Sequence, residues 1–135
     1  MLDTCALIWW TLDQQQLSSH VLSMLNEQPL YLSSISLWEV GIKIKRGKLN
    51  LGINIETYLE KLHELTTLTI LPVTDEIWVR NVALDWEHRD PADRTIVATA
   101  QLTQSSIVTS DAIISGFYPA FRASKLDPIQ TLRGE

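Results

Sequence analysis

The stretch HRDPADRTIVATA (88–100) sets two carboxylates, Asp90 and Asp93, three residues apart and directly before an apolar run. Asp90 suits an N-cap, Pro91 the first helical position, and Asp93 the third, where an acid favours the helix dipole. Capping alone accounts for this pair. Three more acids hold comparable places. Asp3 closes an apolar N-terminal stub, Glu39 falls in the first turn of an expected helix, and Asp111 follows the strand-like SIVTS. In an open parallel α/β sheet, strand ends and helix starts share one side, the crevice where ligands bind. Asp3, Glu39, Asp93 and Asp111 are therefore candidates for one shared site. Each also reads as an ordinary cap, and Ser36–Glu39 matches the S-x-x-E capping box. However, the helices expected after Asn54 and Thr74 are capped without acid, so the acids gather on elements that follow candidate central strands.

Four neighbouring carboxylates repel and raise one another's pKa values unless a cation neutralises them. Oxygen ligands without a His or Cys cluster suit Mg2+ or Mn2+ rather than zinc. A carboxylate-held Mg2+ lowers the pKa of a bound water and stabilises charge on a phosphoryl oxygen. The chemistry implied is phosphodiester hydrolysis.

The elements that must position these acids follow from periodicity. Apolar spacing predicts helices over 6–12, 17–28, 36–47 (N-cap Ser36, stop at Gly47), 54–66, 74–86 and 92–104. Short apolar runs predict strands at 1–2, 30–34, 68–73 and 106–110, a short helix from Asp111, and a last strand near 126–130. This alternation is an α/β pattern: a central parallel sheet of about four to five short strands flanked by helices.

The chain has 135 residues, the size of one domain, with 45% hydrophobic and 20% charged residues, an ordinary globular balance. No run approaches the roughly 20 apolar residues of a membrane span, and no basic segment precedes the N-terminal apolar run, so neither a membrane nor secretion is expected. The single cysteine, Cys5, cannot form an internal disulfide, which points to the cytoplasm. A net charge of −5 argues against a partner held by many phosphate contacts, except where acids are gathered around a metal.

Four segments, LDTCALIWW (2–10), SSISLWEVGIKIKRGKL (33–49), HRDPADRTIVATA (88–100) and IVTSD (107–111), together resemble PIN-domain ribonucleases, and most of all the VapC-type toxins of bacterial toxin–antitoxin pairs. The resemblance covers nearly the whole chain. It implies one PIN domain over 1–135, a parallel sheet, and an Mg2+ or Mn2+ site cleaving RNA. It also implies a small antitoxin partner and a homodimer. Matched by motif, the catalytic and metal-binding acids are Asp3, Glu39, Asp93 and Asp111. Asp90 is expected to cap and support, and Thr4 and Thr109 to orient carboxylates or water. Relatives carry several apolar residues before the first aspartate, whereas here only Met1 and Leu2 precede Asp3, so the first strand reads as truncated.

Other residues carry weaker signals. Lys43, Lys45 and Arg46 form a basic run with Lys48; a solvated helix end and a substrate-phosphate contact both fit. Arg94 can bind phosphate or pair with a carboxylate. The five tryptophans are expected as core and interface anchors rather than base-stacking platforms. His88 is the one histidine near the acidic loop. Two other functions compete: a Mg2+-dependent phosphoacceptor or phosphatase domain, disfavoured because Asp3 lacks a D-x-D partner, and a PIN fold used only for protein binding, disfavoured because all four acids are present.

Overall fold

The computed structural model describes residues 1–111, 114, 116 and 118, and the backbone of 120–122. The elements are α1 (Thr4–Leu12), α2 (Ser19–Glu27), β1 (Leu30–Ser33), α3 (Ile35–Lys45), α4 (Ile55–Glu64), β2 (Leu68–Leu71), α5 (Asp75–Ala83), α6 (Pro91–Thr103), β3 (Ile107–Thr109) and β4 (Ala120–Arg122). The short helix expected from Asp111 lies mostly outside the described residues, and the strand expected near 126–130 lies wholly outside them. β4 was not anticipated.

The strands pair in parallel, as the alternation of strands and helices predicts. β1 lies beside β2, with Leu30 opposite Leu68, and β3 lies beside β4, with Ile107 opposite Ala120. Leu2 joins the two pairs by bridging Leu32 on one side and Val108 on the other. The central position is thus held by a few residues of backbone. Leu2 N–H donates to Tyr31 O (2.9 Å), Asp3 N–H to Val108 O (3.1 Å), and Val108 N–H to Met1 O (2.8 Å). The expected sheet of four to five strands is met in part: two two-stranded pairs with one bridging residue between them.

Side chains alternate across this sheet, as successive residues of a strand must. Leu2, Leu30, Leu32 and Val108 join a core with α1, α2, α3 and α4, whereas Met1 and Ile107 join a second core with α5 and α6. Helices therefore cover both faces, which explains why the strands read as nearly unbroken apolar runs.

Helix starts follow the sequence closely, with one exception. Asn54 accepts from Thr57 N–H (2.8 Å), Thr74 from Ile77 N–H (3.3 Å), and Asp90 from Asp93 N–H (2.9 Å). Gly47, at φ 69°, ends α3 as expected. Its N–H donates to Ile44 O and that of Lys48 to Lys43 O, the paired bonds of a left-handed helix stop. The exception is the Ser36–Glu39 capping box, which does not form. α3 starts at Ile35, whose N–H is taken by Ser33 Oγ (3.2 Å). Ser36 is turned inward, with its Oγ 2.9 Å from Thr4 Oγ1, and Glu39 falls in the second turn rather than the first. A long-range partner outcompetes the local cap.

α6 is the most buried helix, with every residue from Thr95 to Ala100 inside. Its threonines are satisfied within the helix: Thr95 donates to Pro91 O (2.6 Å), Thr99 to Thr95 O (2.7 Å) and Thr103 to Thr99 O (2.8 Å). The connection from α5 to α6 is pinned by Arg94. Its guanidinium donates to Asn81 Oδ1 and to the carbonyls of Asn81, Leu84, Trp86 and His88. All five guanidinium N–H groups are engaged. Asn81 completes the knot by donating to Thr95 Oγ1 at 2.9 Å.

This overturns the assignment of Arg94 to substrate phosphate, and equally to a carboxylate partner. The chain between α5 and α6 turns its carbonyls inward, and buried carbonyls need donors. Arg94→Lys keeps the charge but provides three donors without the planar fork. It should cost about 2 kcal/mol in urea unfolding, the scale of hydrogen bonds to a charged group. An unchanged midpoint would show that the loop does not need the fork.

Candidate active site

Each candidate acid is mounted on a different element. Asp3 ends the bridging backbone and caps α1, with Oδ1 accepting from Ala6 N–H at 2.8 Å. Its Oδ2 accepts from the Thr109 hydroxyl at the end of β3, and Thr109 Oγ1 in turn accepts from Asp111 N–H at 2.9 Å. Thr109 thus ties together the backbone of one acid and the side chain of another. Glu39, on α3, accepts from the Thr4 hydroxyl through Oε1. Asp93, in the first turn of α6, has Oδ2 2.7 Å from His88 Nε2. Asp3, Glu39, Asp93 and Asp111 line one cavity of about 310 Å3, with Thr4 and Lys43 beside them.

The electrostatics are those of crowded, partly dehydrated acids. Burial pushes the Asp3 carboxyl up to about 6; the bonds from Thr109 and Ala6 oppose this, and Asp93 and Asp111 add to it. Burial also raises Glu39, against the Thr4 bond and with the help of Asp90 and Asp93. Burial raises Asp93 as well; the His88 bond opposes it, while Asp90 and Asp111 add to it. The acids stand in one cavity but not in a preformed claw. Among the described residues, no three His, Cys, Asp or Glu side chains are grouped closely enough to hold an ion as they stand. Each of Asp3, Glu39 and Asp93 is instead turned to a protein partner.

Of the other sequence candidates, Thr4 donates to Glu39, Thr109 donates to Asp3, and Asp90 accepts from Asp93 N–H at the start of α6. Lys43 reaches the acidic cavity. Arg46 lies in an adjoining cleft with Asp90, and Lys45 lines an apolar groove beside Ile53 and Ile55. His88 is the residue sequence reasoning underweighted. Its place five residues before Asp93, across the capping turn, was the available signal.

The model of one family, the PIN domain, matches residues 1–118. The chain belongs to the PIN-domain family. Among solved structures, it is similar in fold to a chain of a toxin–antitoxin complex from Klebsiella pneumoniae, with a TM-score of 0.55 and 24% identity, covering 82% of this chain and 84% of that one. No curated protein matches it. PIN domains are generally nucleases that use divalent metal ions, and in this PIN domain the four acids, brought from different elements, line one cavity. Among the described residues, no helix is long and apolar enough to cross a membrane.

The pH behaviour of Asp3 gives a direct check on this crowding. Its folded carboxyl titrates near 6, against an ordinary 3.8. Below 3.8 it is protonated in both folded and unfolded chains; as pH rises towards 6 the unfolded chain ionises first, so stability falls across that window. At neutral pH the buried charge costs roughly 3 kcal/mol. Asp3→Asn keeps a good N-cap and removes the charge. In metal-free buffer it should melt higher than the parent at pH 7 and alike at pH 4. Equal melting at both pH values would mean that Asp3 carries no such penalty.

Proposed function

We propose that the protein is a metal-dependent endoribonuclease, hydrolysing RNA phosphodiester bonds as the toxin of a type II toxin–antitoxin pair. The observation that carries this is the single cavity lined by Asp3, Glu39, Asp93 and Asp111, with burial and mutual repulsion raising three of those carboxyls. An all-oxygen set of crowded carboxylates fits Mg2+ or Mn2+. Those four residues would hold the ion, which would supply an activated water and charge stabilisation at phosphorus. Thr109 and Thr4 hold Asp3 and Glu39 by their hydroxyls. His88 holds Asp93 in the same manner, so the carboxylates keep their aim while the substrate enters. Lys43, which lines the same cavity, would meet the scissile phosphate.

RNA as substrate rests on the resemblance of the four sequence segments to PIN-domain ribonucleases. A small antitoxin as partner is supported by the fold shared with a chain of a toxin–antitoxin complex. A cytoplasmic location accords with both. For a homodimer, α5 offers the matching surface. It exposes Trp78, Val79 (71%) and Val82 (83%), with Asp75 and Glu76 at its start and Arg80 in its last turn. Antiparallel self-pairing of α5 would bury the apolar residues and set unlike charges opposite one another.

Purified protein should cleave single-stranded RNA with Mg2+ or Mn2+ and stop when the metal is chelated. Asp93→Asn should lower cleavage on the order of 100-fold or more, while His88→Ala should lower it about tenfold by freeing Asp93 to turn. Asp90→Ala should chiefly cost about 1 kcal/mol of stability, as lost caps do. RNA left intact under every metal condition, with growth arrested all the same on expression, would favour a domain that acts by binding protein. Separately, Val82→Lys should shift the protein from dimer to monomer in light scattering; a parent that is already monomeric at high concentration rules out the α5 pairing.

A further inference from the structure

Trp38 is 57% exposed, although burying an indole is among the larger gains a side chain offers. It precedes Glu39 on α3, and it lines a second cleft of about 220 Å3. That cleft shares Glu39 and Lys43 with the acidic cavity, so the two adjoin. Lys43 in the last turn of α3 and Arg46 at its C-cap, three residues apart, line the cleft together. Pro91 and Ala92, in the first turn of α6, form the facing wall. The acids at its edge are already engaged: Asp90 caps α6, and Glu39 accepts from Thr4.

An exposed aromatic face beside two cations is the pattern of a single-stranded nucleic-acid subsite. Every base has a face that stacks on an indole, and the cations follow the backbone. Trp38 also lines the neighbouring apolar groove with Ile53 and Ile55; a protein segment seated there would leave Lys43 and Arg46 uncovered, whereas a nucleotide in this cleft engages all three side chains. We infer that the cleft is the subsite for the nucleotide next to the scissile bond, with Trp38 stacking on its base and Lys43 and Arg46 meeting the flanking phosphates. This rests on the ribonuclease function proposed above and deepens it. It makes Trp38 a substrate-positioning residue that sets where the strand is cut.

The test uses the full chain with Mg2+ or Mn2+ and an unstructured RNA oligonucleotide. A second oligonucleotide has one abasic residue beside the mapped cleavage position. Trp38→Ala should raise KM about tenfold with kcat changed less than about twofold, and Trp38→Phe should recover most of the loss. The abasic RNA should raise the parent's KM by a similar factor and leave that of Trp38→Ala unchanged, because the stacking contact is removed only once. A merely structural role for Trp38 would not produce that dependence on the missing base. If the parent cleaves RNA and Trp38→Ala matches it, the subsite is overturned and the nuclease stands. If the alanine and abasic effects multiply as independent losses, Trp38 meets something other than that base, such as a protein segment, and the subsite is overturned. If the parent cuts no RNA with either metal, both the nuclease and the subsite fail.

Discussion

The two halves of the sheet meet through the backbone of Met1, Leu2 and Asp3. Hydrogen bonds with Tyr31, Val108 and Ser106 hold this segment between β1 and β3, and the bridges run through Leu2 alone. The candidate site is referred to that seam. Asp3 follows it directly, Thr109 ends the strand on one side, and Ser33 ends the strand on the other just before α3 and Glu39 begin. A shift of the seam by one residue would exchange the two faces, sending Leu2 from one core to the other. The apolar packing of Leu2 and Met1 on opposite faces therefore fixes the register that aims Asp3.

The cavity works against this arrangement. Placing Asp3 beside a fully packed seam removes its water, and the neighbouring acids add repulsion. The fold answers with local donors rather than with a fixed cation on each acid: a backbone N–H and a threonine hydroxyl for Asp3, a threonine for Glu39, a histidine for Asp93. The hydroxyls and the backbone N–H steady a carboxylate without neutralising it, and the His88 ring favours the charged form of Asp93. The positive charge of Arg94, close in sequence to Asp93, is directed to backbone carbonyls. The site so built keeps its acids crowded around one cavity, with the nearest guanidinium committed elsewhere.

Local chemistry made much of this legible before any coordinates. The Asp90–Pro91–Asp93 start, the Gly47 stop and the Asn54 and Thr74 caps depend on residues within one turn of one another, and each forms as its spacing implies. What was not legible depends on partners distant in sequence. Ser36 gives up a local cap because Thr4, 32 residues away, meets it inside. Arg94 serves carbonyls whose inward direction is set by the path of the α5–α6 connection, which no periodicity encodes. The exposure of Trp38 was hidden for a related reason: an aromatic residue in an apolar helix reads as core until the packing shows which face of α3 is covered. The four candidate acids were found because strand ends and helix starts can be located by pattern, even when their side-chain partners cannot.

The threonines of α6 have a consequence beyond their own satisfaction. Thr99 is buried, and its hydroxyl is folded back onto the carbonyl of Thr95. What it offers the surrounding core is a methyl group, so that to its neighbours this residue is hydrocarbon with the outline of valine. Hydroxyls turned back in this way also tug at helix carbonyls and bend the axis slightly. The helix that carries Asp93 can accordingly be curved to the sheet by polar residues while being packed as though it had none. Its fit is then governed by shape, which leaves room for the core to be rebuilt around it without disturbing the acid at its tip.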